Sequence, residues 1–274
     1  MKSRKKKSIK KKQMKIGISK LSIIPIRKEP SEKSEMISQL LFGETYHVLG
    51  TRDNWLQIKT YFDDYIGWID AKMHSDISTY SFNYMQNKNL SIISNSMIPI
   101  IDNKEKIEHT IVAGSSIPNF NGKRSFRFDG RKFKFRKSPL FQNGKNIRSS
   151  LIETSKLYLN APYLWGGRTP FGIDCSGFVQ LVAKINNIFL PRDASQQIVH
   201  GSVIDFINEA NTGDLVFFDN EAGEIIHVGI LLNSKQIIHA SGKVRIDNID
   251  HHGIYNVDTK RYTHQLRVIK NIVE

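Results

Sequence analysis

The chain contains one cysteine, Cys175, in the middle of the stretch APYLWGGRTPFGIDCSGFVQLVAKINN. Apolar residues follow it at positions 178, 181, 182 and 185, a spacing that predicts a helix with one buried face. Cys175 then belongs to the first turn, where unpaired backbone N–H groups and the helix dipole favour a negative charge. We expect a lowered thiol pKa there, with N–H groups able to stabilise an oxyanion. By spacing alone, such a cysteine is more often a small buried hydrophobic residue.

A nucleophilic cysteine needs a base, and two histidines lie in the candidate hairpin IIHVGILLNSKQIIHASG. A turn centred on Ser234 makes His227 and His239 diagonal neighbours on one sheet face. A turn centred on Asn233 places them directly opposite, and only an even, two-residue loop sends them to opposite faces. A shared face suits a base and a partner that fixes its tautomer. A pair of structural histidines is the alternative interpretation.

Length and composition restrict the class of protein. A chain of 274 residues suits two or three domains, and 39% hydrophobic residues are enough to form buried cores. One cysteine excludes an internal disulfide framework and a Cys-x-x-Cys zinc motif. The thiol is therefore either an inert packing group or a reactive group. We predict no metal and no cofactor.

The first fifteen residues carry nine Lys or Arg and no acid, and the formal net charge of the chain is +14. We interpret residues 1–14 as a disordered basic tail. Non-specific contact with acidic polymers, such as nucleic acid or acidic lipid, is the alternative. The tail lacks interleaved aromatic residues, so we expect no sequence-specific nucleic-acid binding. It also lacks the apolar run of a secretory signal, and no later segment approaches a membrane span, so we expect a cytoplasmic protein, or one exported by an unrecognised route.

Short alternating segments separated by turn residues occupy residues 15–75, for example TYHVLG, RDN and WLQIKTY. They predict a small antiparallel barrel. Residues 76–145 show further β-like runs and the candidate hairpin KRSFRFDGRKFKFRKS, which alternates aromatic and charged residues around Asp129-Gly130. We predict a second β-rich domain there, and we interpret its basic strand face as solvated rather than RNA-binding.

The pattern changes at residue 148 to helices followed by strands. The segment SSLIETSKLYLN predicts a helix with Ser149 or Ser150 as its N-cap. DLVFFD, IIHVGILL and QIIHAS predict strands. Helices leading into an antiparallel sheet indicate an α+β domain over residues 148–274.

Five motifs in this last region occur in the order seen in the NlpC/p60-type papain-like cysteine peptidases of bacterial cell-wall metabolism. They are YLWGGRTPFGIDCSGFVQLV, LPRDASQQ, TGDLVFF, HVGILL and IIHASG. Upstream, the order of SEMISQLLFGE, NWLQIKT and DYIGWI resembles the bacterial SH3-like domains appended to cell-wall enzymes. The resemblance implies one or two SH3-like barrels followed in the chain by a papain-like domain. It also implies that Cys175 is the nucleophile, His227 the general base and His239 the third polar residue of the site.

The resemblance also implies substrate-binding side chains. In the family the tyrosine of YLWGG, here Tyr163, lies beside the nucleophile, and Asp174 and Ser176 line the acceptor pocket. Members with the PRDASQQ segment cut after a D-glutamyl residue linked through its γ-carboxyl, and their SH3-like domains close the groove so that a free N-terminal L-Ala is required. In this chain the PRDASQQ segment contains Arg192, Asp193 and Ser195. Glu35 and Tyr65 match the residues of the SH3-like domain that close the groove.

An acidic wall of Glu35, Asp174 and Asp193 is physically sensible around a substrate ammonium group, because a nearby opposite charge favours the charged form. Arg192 could instead pair with Asp193 structurally. The implied activity is hydrolysis of the γ-D-glutamyl-diamino acid bond of murein peptides during cell-wall peptide recycling. A secreted wall-lytic endopeptidase and a non-catalytic wall-binding or peptide-binding module are the alternatives.

Overall fold

A computed structural model describes most of the chain, namely residues 15–86, 90–118, 120, 122–128, 130–142 and 146–273. The predicted tail, residues 1–14, and Asp129 of the predicted hairpin turn lie outside the described residues. Among the described helices, none is long and apolar enough to cross a membrane.

The first part of the chain forms a six-stranded antiparallel barrel, as its alternating segments predicted. The strands are β1 Ile16–Ile18, β2 Ile23–Arg27, β3 Met36–Leu41, β4 Thr45–Arg52, β5 Trp55–Thr60 and β6 Ile66–Asp70. Their spatial order is β1-β4-β5-β6-β2-β3. Alternate residues point inward, so that the aliphatic side chains of Ile24, Ile26, Leu40, Ile58 and Ile69 share one core.

A second β-rich unit follows a short 3-10 helix, Ala71–Met73. It contains α1 Thr79–Gln86, β7 Ser91–Ile92, β8 Met97–Asp102, β9 Glu108–Val112, β10 Ser116–Ile117, β11 Ser125–Phe128 and β12 Arg131–Phe135. Strands β11-β12-β8-β9 form one sheet and β7 pairs with β10. The predicted hairpin is present, since Phe128 pairs with Arg131 across a two-residue turn. Its phenylalanines lie in a core that also holds Phe42 of the barrel.

The last part of the chain packs helices against a closed antiparallel sheet. Its elements are α2 Ile147–Lys156, β13 Arg168–Thr169, β14 Gly172–Ile173, α3 Cys175–Ile185, α4 Ala194–Gln197, β15 Ser202–Ile204, β16 Leu215–Asp219, β17 Ile225–Asn233, β18 Gln236–Ser241, β19 Lys243–Asp250, β20 Gly253–Asn256 and β21 Arg261–Asn271. The sheet order is β15-β21-β16-β17-β18-β19-β20, and β20 also pairs with β21. The predicted α+β class is confirmed.

Two local predictions about the helices were wrong. Helix α2 is capped by Asn146, whose side chain accepts from the Ser149 N–H at 3.1 Å, so neither predicted serine is the N-cap. Helix α3 does not have one buried face, because all of its residues are buried. The sheet covers its apolar face, and the barrel covers its polar face, where Gln180 donates to Asp63 at 2.8 Å.

A buried ion cluster joins the barrel to α3. Glu44, between β3 and β4, lies 3.0 Å from the Arg168 guanidinium and 2.6 Å from Lys184 Nζ, and all three side chains are at most 4% exposed. Burial alone would raise the pKa of Glu44, but the charges of Arg168 and Lys184 lower it to about 2. Lys184 also donates to the Gly114 carbonyl of the second β-rich unit at 2.8 Å. This cluster therefore fixes the other two parts of the chain against the helix that begins at Cys175.

Candidate active site

Cys175 is the first residue of α3 and is 8% exposed. Burial, followed by the neighbouring Asp174 carboxylate, raises the pKa of its thiol to about 11, and the backbone N–H groups of Val228 and Ser176 oppose this only in part. The expectation of a lowered pKa was therefore wrong. The main reason is burial of the sulfur. The helix cap adds to it, since the Asp174 carboxylate accepts from the Gly177 N–H at 2.7 Å and places its negative charge beside the sulfur.

The two predicted histidines share one face of the sheet beside this helix start. Strands β17 and β18 place Gly229 opposite His239, which is the register predicted for a turn centred on Ser234. His227 and His239 are therefore diagonal neighbours, and His227 Nε2 lies 2.8 Å from His239 Nδ1. Helix α3 packs against β17, and the backbone N–H of Val228, the residue after His227, lies at the Cys175 thiol. The thiol therefore lies beside the strand that carries His227.

A β-bulge decides this register. At the hairpin tip Asn233 pairs with Gln236, so the turn itself contains two residues. An uninterrupted two-residue hairpin would send His227 and His239 to opposite faces. The register shifts between Leu231 and Asn233, and the extra residue returns both imidazoles to the same face.

Two further residues extend the histidine pair, and the sequence analysis missed both. Asp247 on β19 is 1% exposed, and its Oδ2 lies 3.0 Å from His239 Nε2. His264 on β21 stacks on His227 with ring centroids 4.2 Å apart. Asp247 could have been found from the sequence, because it places an acidic residue at an inward position of the alternating strand KVRIDNID. No local sequence pattern marked His264.

Both His227 and His264 are held neutral. Burial, and then the nearby His239 and His264, lower the pKa of His227 well below its ordinary value. Burial and His239 likewise lower the pKa of His264 to about 4. An imidazole that is neutral at pH 7 can accept a proton, so His227 is in the protonation state that a general base needs.

The structure buries three of the predicted substrate-binding residues in one network. Arg192 is 1% exposed and donates from Nη1 to Asp174 Oδ1 at 3.0 Å and to Ser176 Oγ at 2.9 Å. Asp174 also accepts from the Gly166 N–H at 2.8 Å. Arg192 thus pairs with Asp174, and the pairing with Asp193 that we considered is absent from the ion pairs of the described residues.

The remaining predicted residues lie closer to solvent. Tyr163 is partly buried, and burial, followed by the charges of Cys175 and Asp174, raises the pKa of its phenol. Tyr65 of the barrel donates to Asp193 Oδ1 at 3.1 Å. Ser195 is exposed on α4.

Glu35 links the barrel to the last part of the chain. Its exposed carboxylate accepts from Trp165 Nε1 at 2.7 Å, and Trp165 lies in the loop between Tyr163 and Cys175. Hydrogen bonds from Trp165 and then Lys28 lower the pKa of Glu35. Trp165 directly precedes Gly166, whose N–H bonds the Asp174 carboxylate next to Cys175, so an ionised carboxylate of the barrel is linked to the segment that packs beside the cysteine.

Two family models match the chain. The model of the NlpC/P60 family matches residues 160–266, and the model of the bacterial dipeptidyl-peptidase Sh3 domain matches residues 26–72. The chain contains an NlpC/P60 domain. Both family resemblances seen in the sequence are thereby confirmed, and the NlpC/P60 domain is a cysteine-type peptidase domain.

Named relatives resemble the chain over different lengths. The gamma-D-glutamyl-L-lysine dipeptidyl-peptidase of Bacillus subtilis strain 168 is 38% identical over 98 residues, which are 35% of this chain and 33% of that protein. The protein of the same name from Bacillus cereus is 25% identical over 241 residues, 76% of this chain and 68% of that protein. The first alignment thus spans one third of its relative, and the second spans about two thirds.

A crystal structure of an NlpC/P60 family protein from Bacillus cereus ATCC 10987 superposes with a TM-score of 0.79. The alignment covers 94% of this chain and 100% of that chain at 18% identity, so the likeness concerns the fold. Within the part of our chain that the structure describes, no three His, Cys, Asp or Glu side chains are grouped as metal ligands.

Proposed function

We propose that the protein hydrolyses the γ-D-glutamyl-diamino acid bond of peptidoglycan peptides that carry a free N-terminal L-Ala. The observation that carries the proposal is that a cysteine–histidine group and a carboxylate of the barrel are linked through one loop. Cys175 and the His227–His239 pair would supply nucleophile and base. The barrel carboxylate Glu35 bonds Trp165, whose neighbour Gly166 bonds Asp174 beside Cys175. The names of the two Bacillus relatives support the choice of bond.

The proposed reaction starts from a neutral pair. The pKa of Cys175 is raised to about 11 and that of His227 is lowered, so proton transfer before substrate binds is unfavourable. His227 therefore removes the thiol proton as the Cys175 sulfur attacks the γ-carbonyl carbon. The first-turn backbone N–H groups that Asp174 does not occupy are available to the oxyanion.

The imidazolium of His227 then donates its proton to the leaving amine of the diamino acid as the C–N bond breaks. A thioester between Cys175 and L-Ala-γ-D-Glu remains. Water attacks this thioester while His227 accepts a proton, and the dipeptide leaves with a new carboxylate. The Cys175 sulfur recovers its proton from His227, which restores the starting state.

Glu35 is the best-placed carboxylate for the substrate ammonium group. It is exposed, and its lowered pKa keeps it ionised at neutral pH. Asp174 is already saturated by Arg192, Gly166 and Gly177. We therefore assign recognition of the free L-Ala amine to Glu35, with Asp193 and Tyr65 at the neighbouring wall.

The test is incubation of the purified protein with L-Ala-γ-D-Glu-L-Lys and with its meso-diaminopimelate counterpart, each with a free or an acetylated amine. We expect release of L-Ala-γ-D-Glu from the free peptides and no product with Cys175→Ala. Undiminished cleavage by Cys175→Ala would contradict the mechanism. Equal cleavage of free and acetylated peptides would contradict the role of Glu35.

We further propose that the reaction serves recycling of released peptides in the cytoplasm. This follows from the proposed recognition of a free L-Ala amine, because in intact peptidoglycan that amine is bonded to the glycan. We expect cleavage of free peptides and none of intact sacculi, together with a cytoplasmic signal for the tagged protein. Release of peptides from sacculi would instead indicate a wall-lytic endopeptidase.

A further inference from the structure

Asp247 is a buried carboxylate that takes no direct part in the proposed proton transfers. It is 1% exposed on β19. It accepts hydrogen bonds from His239 Nε2 at 3.0 Å, from Arg245 Nη2 at 2.9 Å and from the Val257 N–H at 3.1 Å. Burial alone would raise the pKa of Asp247, but the hydrogen bonds from His239 and Arg245 lower it to about 2. Asp247 is thus ionised and can only accept hydrogen bonds.

The acceptor role of Asp247 determines the tautomers of both imidazoles. A neutral His239 has a single N–H, which must sit on Nε2 to donate to the carboxylate, so that its Nδ1 is an acceptor. His227 Nε2, 2.8 Å away, must then be the donor. A neutral imidazole has one N–H, so Nδ1 of His227 carries a free lone pair. That lone pair is the one a general base needs.

We propose that Asp247 is a positioning residue that sets the tautomer of His239 and, through it, that of His227. The proposal rests on the proposed peptidase function for its catalytic consequence. The tautomers themselves follow from the hydrogen bonds between two neutral rings and an ionised carboxylate, and do not depend on the substrate.

Arg245 supports this role of Asp247. Its guanidinium lies 2.9 Å from Asp247 Oδ1 and 2.7 Å from Asp247 Oδ2. It also pairs with Asp258 at 2.8 Å, so that the carboxylate has a fixed cationic partner beside His239. The other titratable group beside the pair is His264, which stacks on His227 and whose pKa is lowered to about 4. His264 is therefore neutral at pH 7 and adds no competing charge.

The decisive variant is Asp247→Asn. The asparagine amide can donate to His239 Nε2, which allows the His239 proton to move to Nδ1. His227 then accepts on Nε2 and carries its proton on Nδ1, where it blocks transfer from the thiol. We expect kcat to fall about a thousandfold or more, as when the buried aspartate of a Ser-His-Asp triad is amidated, with KM changed by less than about threefold.

The second readout is ¹⁵N NMR of ring-labelled histidine at pH 7, assigned with single His→Gln variants. In the wild-type protein we expect protonated Nε2 and unprotonated Nδ1 for both His227 and His239, and in Asp247→Asn we expect the reverse. The matched control is Asp250→Asn on the same strand, whose carboxylate instead pairs with Tyr262. This control should keep wild-type tautomers and kcat.

The outcomes separate the two proposals. Protonated Nδ1 in either wild-type imidazole overturns the role of Asp247, and this measurement remains decisive if Asp247→Asn fails to fold. A folded Asp247→Asn protein with wild-type tautomers also overturns it, whatever its activity. If the wild-type protein shows the expected tautomers but cleaves no murein peptide, the proposed function fails and the tautomer assignment stands.

Discussion

Two carboxylates that the sequence placed in one acidic wall are held in very different ways. Asp174 in the NlpC/P60 domain has a side chain that is 7% exposed and carries an ion pair with Arg192. Glu35 in the barrel has a side chain that is 39% exposed, and it accepts from Trp165 at 2.7 Å and from Lys28 at 3.3 Å.

Burial and the number of hydrogen bonds already accepted decide whether a carboxylate can bind a ligand. The two Asp174 oxygens accept from Gly166, Gly177 and Arg192, so little acceptor capacity is left for a ligand and Asp174 serves the structure. Glu35 retains solvent access, so a substrate ammonium group can replace water beside it. The predictions below test this contrast, beginning with the largest effect.

Replacement of Asp174 by alanine should reduce the free energy of unfolding by about 3–5 kcal/mol, because Arg192 is left as an uncompensated buried charge. Urea unfolding followed by circular dichroism measures the change. The control is Glu108→Ala, which removes an exposed pair with Arg136 and should cost less than about 1 kcal/mol. Equal losses for the two variants would contradict a structural role for the buried pair.

Glu44 lies in the same barrel as Glu35 but is buried and ion-paired like Asp174. It therefore tests whether burial and pairing, rather than the domain in which a carboxylate lies, determine its structural role. Its pKa is about 2 in the folded protein against an ordinary 4.5, so its contribution to stability is full above pH 4.5 and is lost as the pH falls towards 2. We expect Glu44→Gln to be less stable at pH 7 and to lose less stability than wild type between pH 5 and pH 3. Parallel pH dependences in urea unfolding would refute this.

Replacement of Glu35 by glutamine should raise KM for the free-amine peptide about tenfold or more, since a hydrogen bond to a charged group contributes about 1.5–3 kcal/mol. The free energy of unfolding should change by less than about 0.5 kcal/mol. Steady-state kinetics with free and acetylated peptides measures the effect. An unchanged KM, or a loss of stability like that of Asp174→Ala, would remove the contrast between the two carboxylates.

The smallest effect is expected for Tyr65→Phe, which removes the 3.1 Å hydrogen bond to Asp193. Because Asp193 is only partly buried and water can replace the hydroxyl, stability should fall by about 0.5–1.5 kcal/mol. Losing this donor should also raise the pKa of Asp193 further above its ordinary value, since Tyr65 lowers it. Urea unfolding and a ¹³C NMR titration of the Asp193 carboxyl check the two expectations.

Local patterns predicted much of the fold and the core of the candidate site. The spacing after Cys175 predicted α3, and the alternation around Asp129-Gly130 predicted the hairpin of β11 and β12. These predictions succeed because helix and strand periodicities are properties of neighbouring residues. Predictions about surroundings were less successful, since burial of the polar face of α3 and the raised pKa of Cys175 depend on the barrel and on Asp174.

The groups that could react were identifiable from local sequence, namely one thiol in the first turn of a helix and two histidines in one hairpin. Only the tertiary structure decided how they are connected. The bulge before Asn233 placed both imidazoles on one face, and strand β19 brought Asp247 behind His239. The physical reason is that register, burial and hydrogen-bond partners arise from contacts between segments distant in the chain, which periodicity within one segment does not encode.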